Sequence, residues 1–322
     1  MQSKNTELVN KIQKVRKCKR SSARTYASTI VRVGNEFANG GFNKDLKWVH
    51  QKSIYDKLKK SDKGLNVLRN LVNSMLIALS LFPDKGLSEK YNEYLKDLNK
   101  KVDEVSKSGV MSEKQASQFL SWDKIVKLRR LLARKVRLCQ CYKQKKLSSR
   151  DFKLITSHLL LCLYTMLPPV RLSWSSVTFH SEKGFANIGH HEGNHLVMRK
   201  PNWIVVWQDY KTAGKYGKQT VDIPKPLERI LRTHIRYLKR HFPNNSYLLL
   251  NSRYEPMSRV SLSKFLQSLF YSYFKKKIST TAIRRSFLSH KYSFEKKQEE
   301  EEVARQMLQS TSVQKSHYIK KT

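Results

Sequence analysis

Acidic residues are scarce in this chain: 25 aspartates and glutamates stand against 64 lysines and arginines, leaving a formal charge of +39 over 322 residues. Such an excess opposes compaction by self-repulsion. It points instead to a polyanionic partner, and nucleic acid leads because each neutralised phosphate releases a counterion. Long apolar runs are also missing. The nearest, Leu159 to Val170, is broken by Thr165 and ends on Pro168-Pro169, so it reads as a buried helix and not as the ~20-residue span of a bilayer. Cysteine is limited to Cys18, Cys139, Cys141 and Cys162, with no C-x-x-C pair, which excludes a disulfide framework and a zinc ribbon. Met1 to Arg20 is polar and increasingly basic, without the apolar segment of a secretory signal. The expectation is an intracellular protein that acts at DNA, is not secreted and has no membrane partner.

Familiar catalytic signatures are absent as well. There is no Gly-x-x-x-x-Gly-Lys-Ser/Thr, no His-Glu-x-x-His and no Gly-x-Ser-x-Gly. The acidic residues after Ser121 form no Asp/Asp/Glu set for two-metal phosphoryl transfer. His190, His191 and His195 cluster without a cysteine beside them and read as a surface loop, not as a metal centre. No cofactor and no metal are expected.

What is present is helical periodicity, then a change of period. Residues 1–21 read as a basic arm, densest at Lys14-Val15-Arg16-Lys17-Cys18-Lys19-Arg20; it suits phosphate contact, nuclear import or a solvated tail. From Ser22, apolar stripes at Tyr26/Ile30/Val33/Phe37, Leu46/Val49/Ile54/Leu58, Leu65/Leu68/Val72/Met75/Leu79 and Tyr91/Tyr94/Leu98/Val102 predict four amphipathic helices forming a helical DNA-binding domain over 22–107. A linker is expected over 108–120. A second domain then spans 121–322, opening on a helix capped by Ser121 and including a core helix over 151–167. Leu196–Met198, Trp203–Trp207 and Gln219–Ile223 are β-type runs, with 212–218 as the hairpin between the last two. Helices are predicted at 226–242, 261–276, 280–294 and 299–308, and a short one capped by Ser312 carries Tyr318. The fold class is therefore mainly α with a small antiparallel β-sheet.

Four separated segments occur in one order: Pro-Pro-Val-Arg-Leu-Ser-Trp (168–174), Asp-Tyr-Lys-Thr-Ala-Gly-Lys-Tyr-Gly-Lys (209–218), Thr-Thr-Ala-Ile-Arg-Arg-Ser-Phe (280–287) and Met-Leu-Gln-Ser-Thr-Ser-Val-Gln-Lys-Ser-His-Tyr (307–318). Their order resembles the catalytic domain of tyrosine recombinases, the phage-integrase-like family. In appearance it is closest to the branch in giant viruses, virophages and crypton-like mobile elements. The motifs cover roughly 110–322, while 22–107 is similar only in its helical, basic character. The resemblance implies DNA integration or recombination through a 3′-phosphotyrosine, on double-stranded DNA, by a homotetramer in a synaptic complex, at the DNA of a host nucleus or viral factory.

It also implies the roles. Arg171 and Arg284 clamp the scissile phosphate, whose charge grows in the transition state; Arg285 is the neighbour that competes for the second position. Lys211 is the general acid for the departing 5′ oxygen, with Lys215 and Lys218 as alternatives in the same hairpin. Tyr318 is the nucleophile. Thr281 and Gln309 stand where the family commonly has histidine, or histidine or tryptophan, and both donate hydrogen bonds without taking up a proton near neutral pH. His290 and His317 are nearby candidates for a base. Trp174 replaces an acidic residue common in the family. A type IB topoisomerase-like enzyme and a catalytically inactive DNA-binding relative remain as alternatives; the small helical domain ahead of the catalytic one favours the recombinase.

Overall fold

The computed structural model describes residues 6–43, 45–188 and 192–292, with 299, 300, 302 and 306. The chain divides into two compact units, Met1–Val110 and Met111–Thr322.

The first unit is helical: α1 (Thr6–Arg16), α2 (Arg20–Phe37), α3 (Lys52–Lys59), α4 (Leu65–Leu81) and α5 (Lys85–Lys107), with a 3-10 turn at Lys47–His50. Its core joins Ile30 and Val33 of α2, Trp48, Ile54 and Leu58, Val72 and Met75 of α4, and Tyr91 of α5. Gly34 has a steric role in this packing. A Cβ there would lie 2.9 Å from the Trp48 ring and 2.9 Å from Phe42 Cβ, closer than packed atoms approach. The expected arm over 1–21 is corrected by α1. Leu8, Val9 and Ile12 are buried in the same core, and this i, i+1, i+4 stripe folds the segment onto the bundle although charged residues outnumber apolar ones around it.

The second unit opens earlier than the expected linker allows. Ser112 and Gln115 form a reciprocal capping box on the short helix α6 (Glu113–Ser117), and Leu120 is already in the core. Then come α7 (Trp122–Leu138), a 3-10 turn at Cys141–Lys143, and α8 (Ser149–Thr165). On α8 every residue from Ile155 to Tyr164 is buried, which agrees with its apolar sequence; each leucine buried there contributes roughly 1.5–3 kcal/mol.

A four-stranded sheet follows, built from β1 (Thr178–Ser181), β2 (His195–Met198), β3 (Ile204–Trp207) and β4 (Gln219–Asp222) in that order, with the short helix α9 (Glu182–Ala186) between β1 and β2 and α10 (Ala213–Tyr216) between β3 and β4. The sheet is mixed, not antiparallel as expected. β2–β3 and β3–β4 are antiparallel, with Leu196 opposite Val205 and Val205 opposite Val221, but β1 lies parallel to β2 with Phe179 opposite Leu196. β1 escapes sequence reading because Thr178-Phe179-His180-Ser181 is four residues long and polar at three of them. The expected histidine loop is corrected at His195, which is 5% exposed at the start of β2, its Nδ1 2.8 Å from Thr178 Oγ1; His190 and His191 lie outside the described residues. Helices α11 (Lys225–His241), α12 (Arg259–Phe274) and α13 (Thr280–Lys291) complete the unit. Of the predicted 299–308 helix only four positions are described, and the segment carrying Tyr318 lies outside the described residues. No helix among the described residues is long and apolar enough to cross a membrane.

Two buried histidines are expected to make this unit acid-sensitive. His158 lies 3.2 Å from Cys162 Sγ, and His234 donates through Nε2 to Leu248 O at 3.0 Å. Burial pushes each down to about 4; the Arg129 charge adds to the shift of His158, and the nearby His158 to that of His234. An unfolded histidine titrates near 6.5, so as pH falls the unfolded chain takes up protons first. The stability is fully present above pH ~6.5 and is lost progressively down to about pH 4, on the order of 3 kcal/mol for each histidine. Calorimetric melts at several pH values should show the second unit's Tm dropping across that window. A Tm unchanged from pH 7 to pH 4.5 would contradict it.

Candidate active site

Three local structures converge. The first is the turn after α8. Pro168 and Pro169 lack the N–H that a continuing helix needs, and the chain leaves α8 to present Arg171. The Tyr164 hydroxyl donates to Arg171 O, Ser175 N donates to Leu172 O at 3.1 Å, and Trp174 is buried edge-on against Trp207 with ring centroids 4.7 Å apart. Trp174 is thus a packing residue that anchors the turn. The backbone of Arg171 is fixed while its side chain stays exposed.

The second is the segment between β3 and β4, which carries Lys211. Within it Ala213 N donates to Tyr210 O at 3.1 Å and Tyr210 Oη to Gly217 O at 2.6 Å. Gly217 takes φ +64°, the left-handed region that favours glycine. The expected hairpin is present, with the helical turn α10 inside it. Just ahead of the lysine, Asp209 pairs with Arg259 of α12 at 2.9 Å.

The third is α13. Ser279 caps it by accepting from Ala282 N at 3.2 Å. Ala282 and Ile283 are buried, the Ser286 hydroxyl donates to Leu120 O, and Phe287 meets Trp122 edge-on with centroids 5.1 Å apart. With that face committed to the core, Arg284 is left half-buried at its edge.

Arg171, Lys211 and Arg284 line one open cavity of about 260 Å³, together with Pro168, Pro169, Val170, Ser173, Trp207, Tyr210, Thr212 and Gln219. No aspartate or glutamate lines it, and among the described residues neither arginine has a carboxylate partner. Burial, and then the charge of Arg171, push Arg284 below its ordinary pKa. The partly buried Arg284 beside the like charge of Arg171, with no counter-charge in the cavity, favours the entry of an anion. The arrangement suits a phosphate group.

The remaining site residues separate. Lys215 lies over the Tyr216 ring at 5.3 Å and Lys218 over the Phe185 ring at 5.9 Å, and neither lines the cavity. Arg285 and Thr281 are also outside its lining, Thr281 being exposed in the first turn of α13. His290 stacks on Trp122 with centroids 6.4 Å apart. Gln309, His317 and Tyr318 lie outside the described residues. Among the described residues no group of three or more His, Cys, Asp or Glu side chains is placed to hold a metal ion.

Sequence reasoning missed Asn194. It is 1% exposed. Its Nδ2 donates to Ser173 O at 3.1 Å and Asp209 O at 3.0 Å, and its Oδ1 accepts from Gln208 N at 2.9 Å and Asp209 N at 3.0 Å. The one signal in the sequence is its place immediately before a β-type run, where a polar residue reads as loop. The chain matches no family model, no curated protein and no solved structure.

Proposed function

We propose that this chain is a site-specific tyrosine recombinase that breaks and rejoins double-stranded DNA, acting inside the cell as a tetramer on paired sites. The observation that carries the reading is the meeting of Arg171, Lys211 and Arg284 in one cavity without a carboxylate. In the reaction the Tyr318 phenol oxygen bonds to phosphorus and the bond from phosphorus to the 5′ oxygen breaks. Lys211 gives its ammonium proton to the departing oxygen, the phenol proton passes to water, and the products are a 3′-phosphotyrosine and a 5′ hydroxyl. Arg171 and Arg284 bind the non-bridging oxygens as their charge grows. Thr281 and Gln309 are assigned hydrogen bonds to the same phosphate. Rejoining is the reverse displacement by a 5′ hydroxyl and needs no ATP, because the phosphodiester energy is kept in the tyrosyl ester.

The test is a pool of nicked suicide duplexes carrying random sequence, on which cleavage loses its short product strand and traps the enzyme. A detergent-stable adduct joined to the 3′ end of the DNA is expected, and it should form equally with chelator present because the three cations supply the charge stabilisation. Absence of any adduct from a saturating pool would reject the reading.

The charge of +39 makes a separate prediction for binding. Affinity for arbitrary duplex should fall steeply with salt, by about three to five decades between 50 and 200 mM if roughly 6–10 phosphates are neutralised. Titrations of labelled duplex at several salt concentrations measure it, and a nearly flat plot of log affinity against log salt would remove the electrostatic argument.

A further inference from the structure

Asn194 joins the arginine turn to the lysine segment. Ser173, which accepts one of its bonds, lies two residues after Arg171; Asp209, which shares two, lies two residues before Lys211. Among the described residues no other side chain is hydrogen-bonded to both segments. A carboxamide has two N–H donors and an oxygen with two lone pairs, and here all four are used inside the protein. No other side chain of this length can do the same. Aspartate would set an oxygen against the carbonyls of Ser173 and Asp209, and leucine would leave two amides and two carbonyls unsatisfied in a buried place.

The two segments depend on this amide unequally. Besides Asn194, the arginine turn is held by the Tyr164 hydroxyl on Arg171 O and by the buried Trp174 ring against Trp207. The stretch that leaves β3 takes three of the four Asn194 bonds, to Gln208 N, Asp209 N and Asp209 O. Apart from these, Asp209 is held by Arg259 in an ion pair whose partners are 52% and 49% exposed, a weak tether in water. Lys211 itself is exposed, so its placement rests on its backbone, which Asn194 holds on the β3 side and the Tyr210–Ala213 and Tyr210–Gly217 bonds hold on the other.

We propose that Asn194 is the positioning residue that sets Lys211 against Arg171, so that its loss disables proton delivery to the leaving 5′ oxygen and leaves phosphate binding nearly intact. The proposal rests on the transesterification reading. Misplacement by about 1 Å is enough to cost roughly 100-fold in rate.

The suicide duplex is prepared in two forms, with oxygen or with sulfur bridging phosphorus to the 5′ side. A thiolate is a far weaker base than an alkoxide and departs without a proton, so the sulfur form bypasses the general acid. Asn194→Asp and Asn194→Ser should cleave the oxygen form about 100-fold more slowly than the parent and the sulfur form within about tenfold of it, with unchanged duplex affinity. Lys211→Ala should show the same pattern, and Arg171→Ala should fail on both forms. Equal losses on both forms would mean a merely structural role and overturn the proposal, as would parent-like cleavage of the oxygen form. Should neither Asn194 variant fold, an α-hydroxy acid in place of Asp209 decides: it exchanges the N–H that donates to Asn194 Oδ1 for oxygen and leaves every side chain in place, and an oxygen-specific loss of about tenfold is expected, with parent-like rates or equal losses on both forms overturning the proposal. A parent that forms no adduct on either form refutes the transesterification reading itself, a result distinct from a parent that cleaves and an Asn194 variant that cleaves equally well.

Discussion

Tyr318→Phe is expected to abolish the covalent protein–DNA adduct while leaving folding and duplex affinity at parental levels. The substitution removes one oxygen and keeps the ring, so any packing by the aromatic face survives, and one charge-neutral atom does little to binding driven by a net charge of +39. On the proposed mechanism, what disappears is the atom that would bond to phosphorus, so the two arginines and Lys211 would still hold a phosphodiester but no displacement would follow. Four other tyrosines of the second unit are committed elsewhere, whereas Tyr216, Tyr271, Tyr273 and Tyr292 are exposed and are the competitors that mapping must exclude. Tyr164 is committed to Arg171 O, Tyr210 to Gly217 O, and Tyr142 and Tyr237 meet edge-on with centroids 5.7 Å apart. Burial also raises the pKa of Tyr142, Tyr164 and Tyr237, which disfavours the phenolate a nucleophile needs. Peptide mapping of the adduct trapped by the parent is the decisive measurement. DNA linked to any residue other than Tyr318 ends the assignment, and a Tyr318→Phe protein that still forms the parental adduct does the same.

The second large effect is at the clamp. Arg171→Ala and Arg284→Ala should each slow cleavage by roughly three orders of magnitude or more, the size found where cationic or oxyanion-stabilising donors act in a transition state. Duplex affinity should fall only slightly, because the lost interaction strengthens as charge develops on the phosphate. Neither change should unfold the protein. Arg171 is exposed, and Arg284 is half-buried beside a like charge with no carboxylate partner among the described residues. Removing either cation relieves that repulsion, so Tm should stay level or rise. Single-turnover cleavage, duplex titration and melting of the same three proteins test this together. A variant that cleaves like the parent loses its place in the clamp, and a large fall in Tm would show that the arginine has a structural role instead.

Much of the helical content is legible because burial imposes a period. The stripes of α2, α4 and α5 appear in the sequence as they do in the core, and α8 announces itself by being apolar on every side. The misses share a cause. At α1, charge obscures a stripe of only three apolar residues; β1 is short and mostly polar; His195 follows glycine and asparagine, residues typical of loops, yet is buried in β2. In each case long-range contacts outweigh local composition. The order of the motifs is likewise legible in the sequence, and it picks out Arg171, Lys211 and Arg284, which the fold brings to one cavity.

The sequence by itself determined the charge, the two helical regions with a β-type interval, and a short set of candidate residues for meeting a phosphate. Only the tertiary structure separated Lys211 from Lys215 and Lys218, because a turn displays its lysines in different directions and adjacency in sequence carries no information about which cavity each one reaches. Only the tertiary structure brought out Asn194, because a buried amide acquires its meaning from four backbone partners in two other segments. Local preference is written along the chain; the satisfaction of buried polar groups, and the convergence of cations without a counter-charge, exist only between parts of the chain that folding brings together.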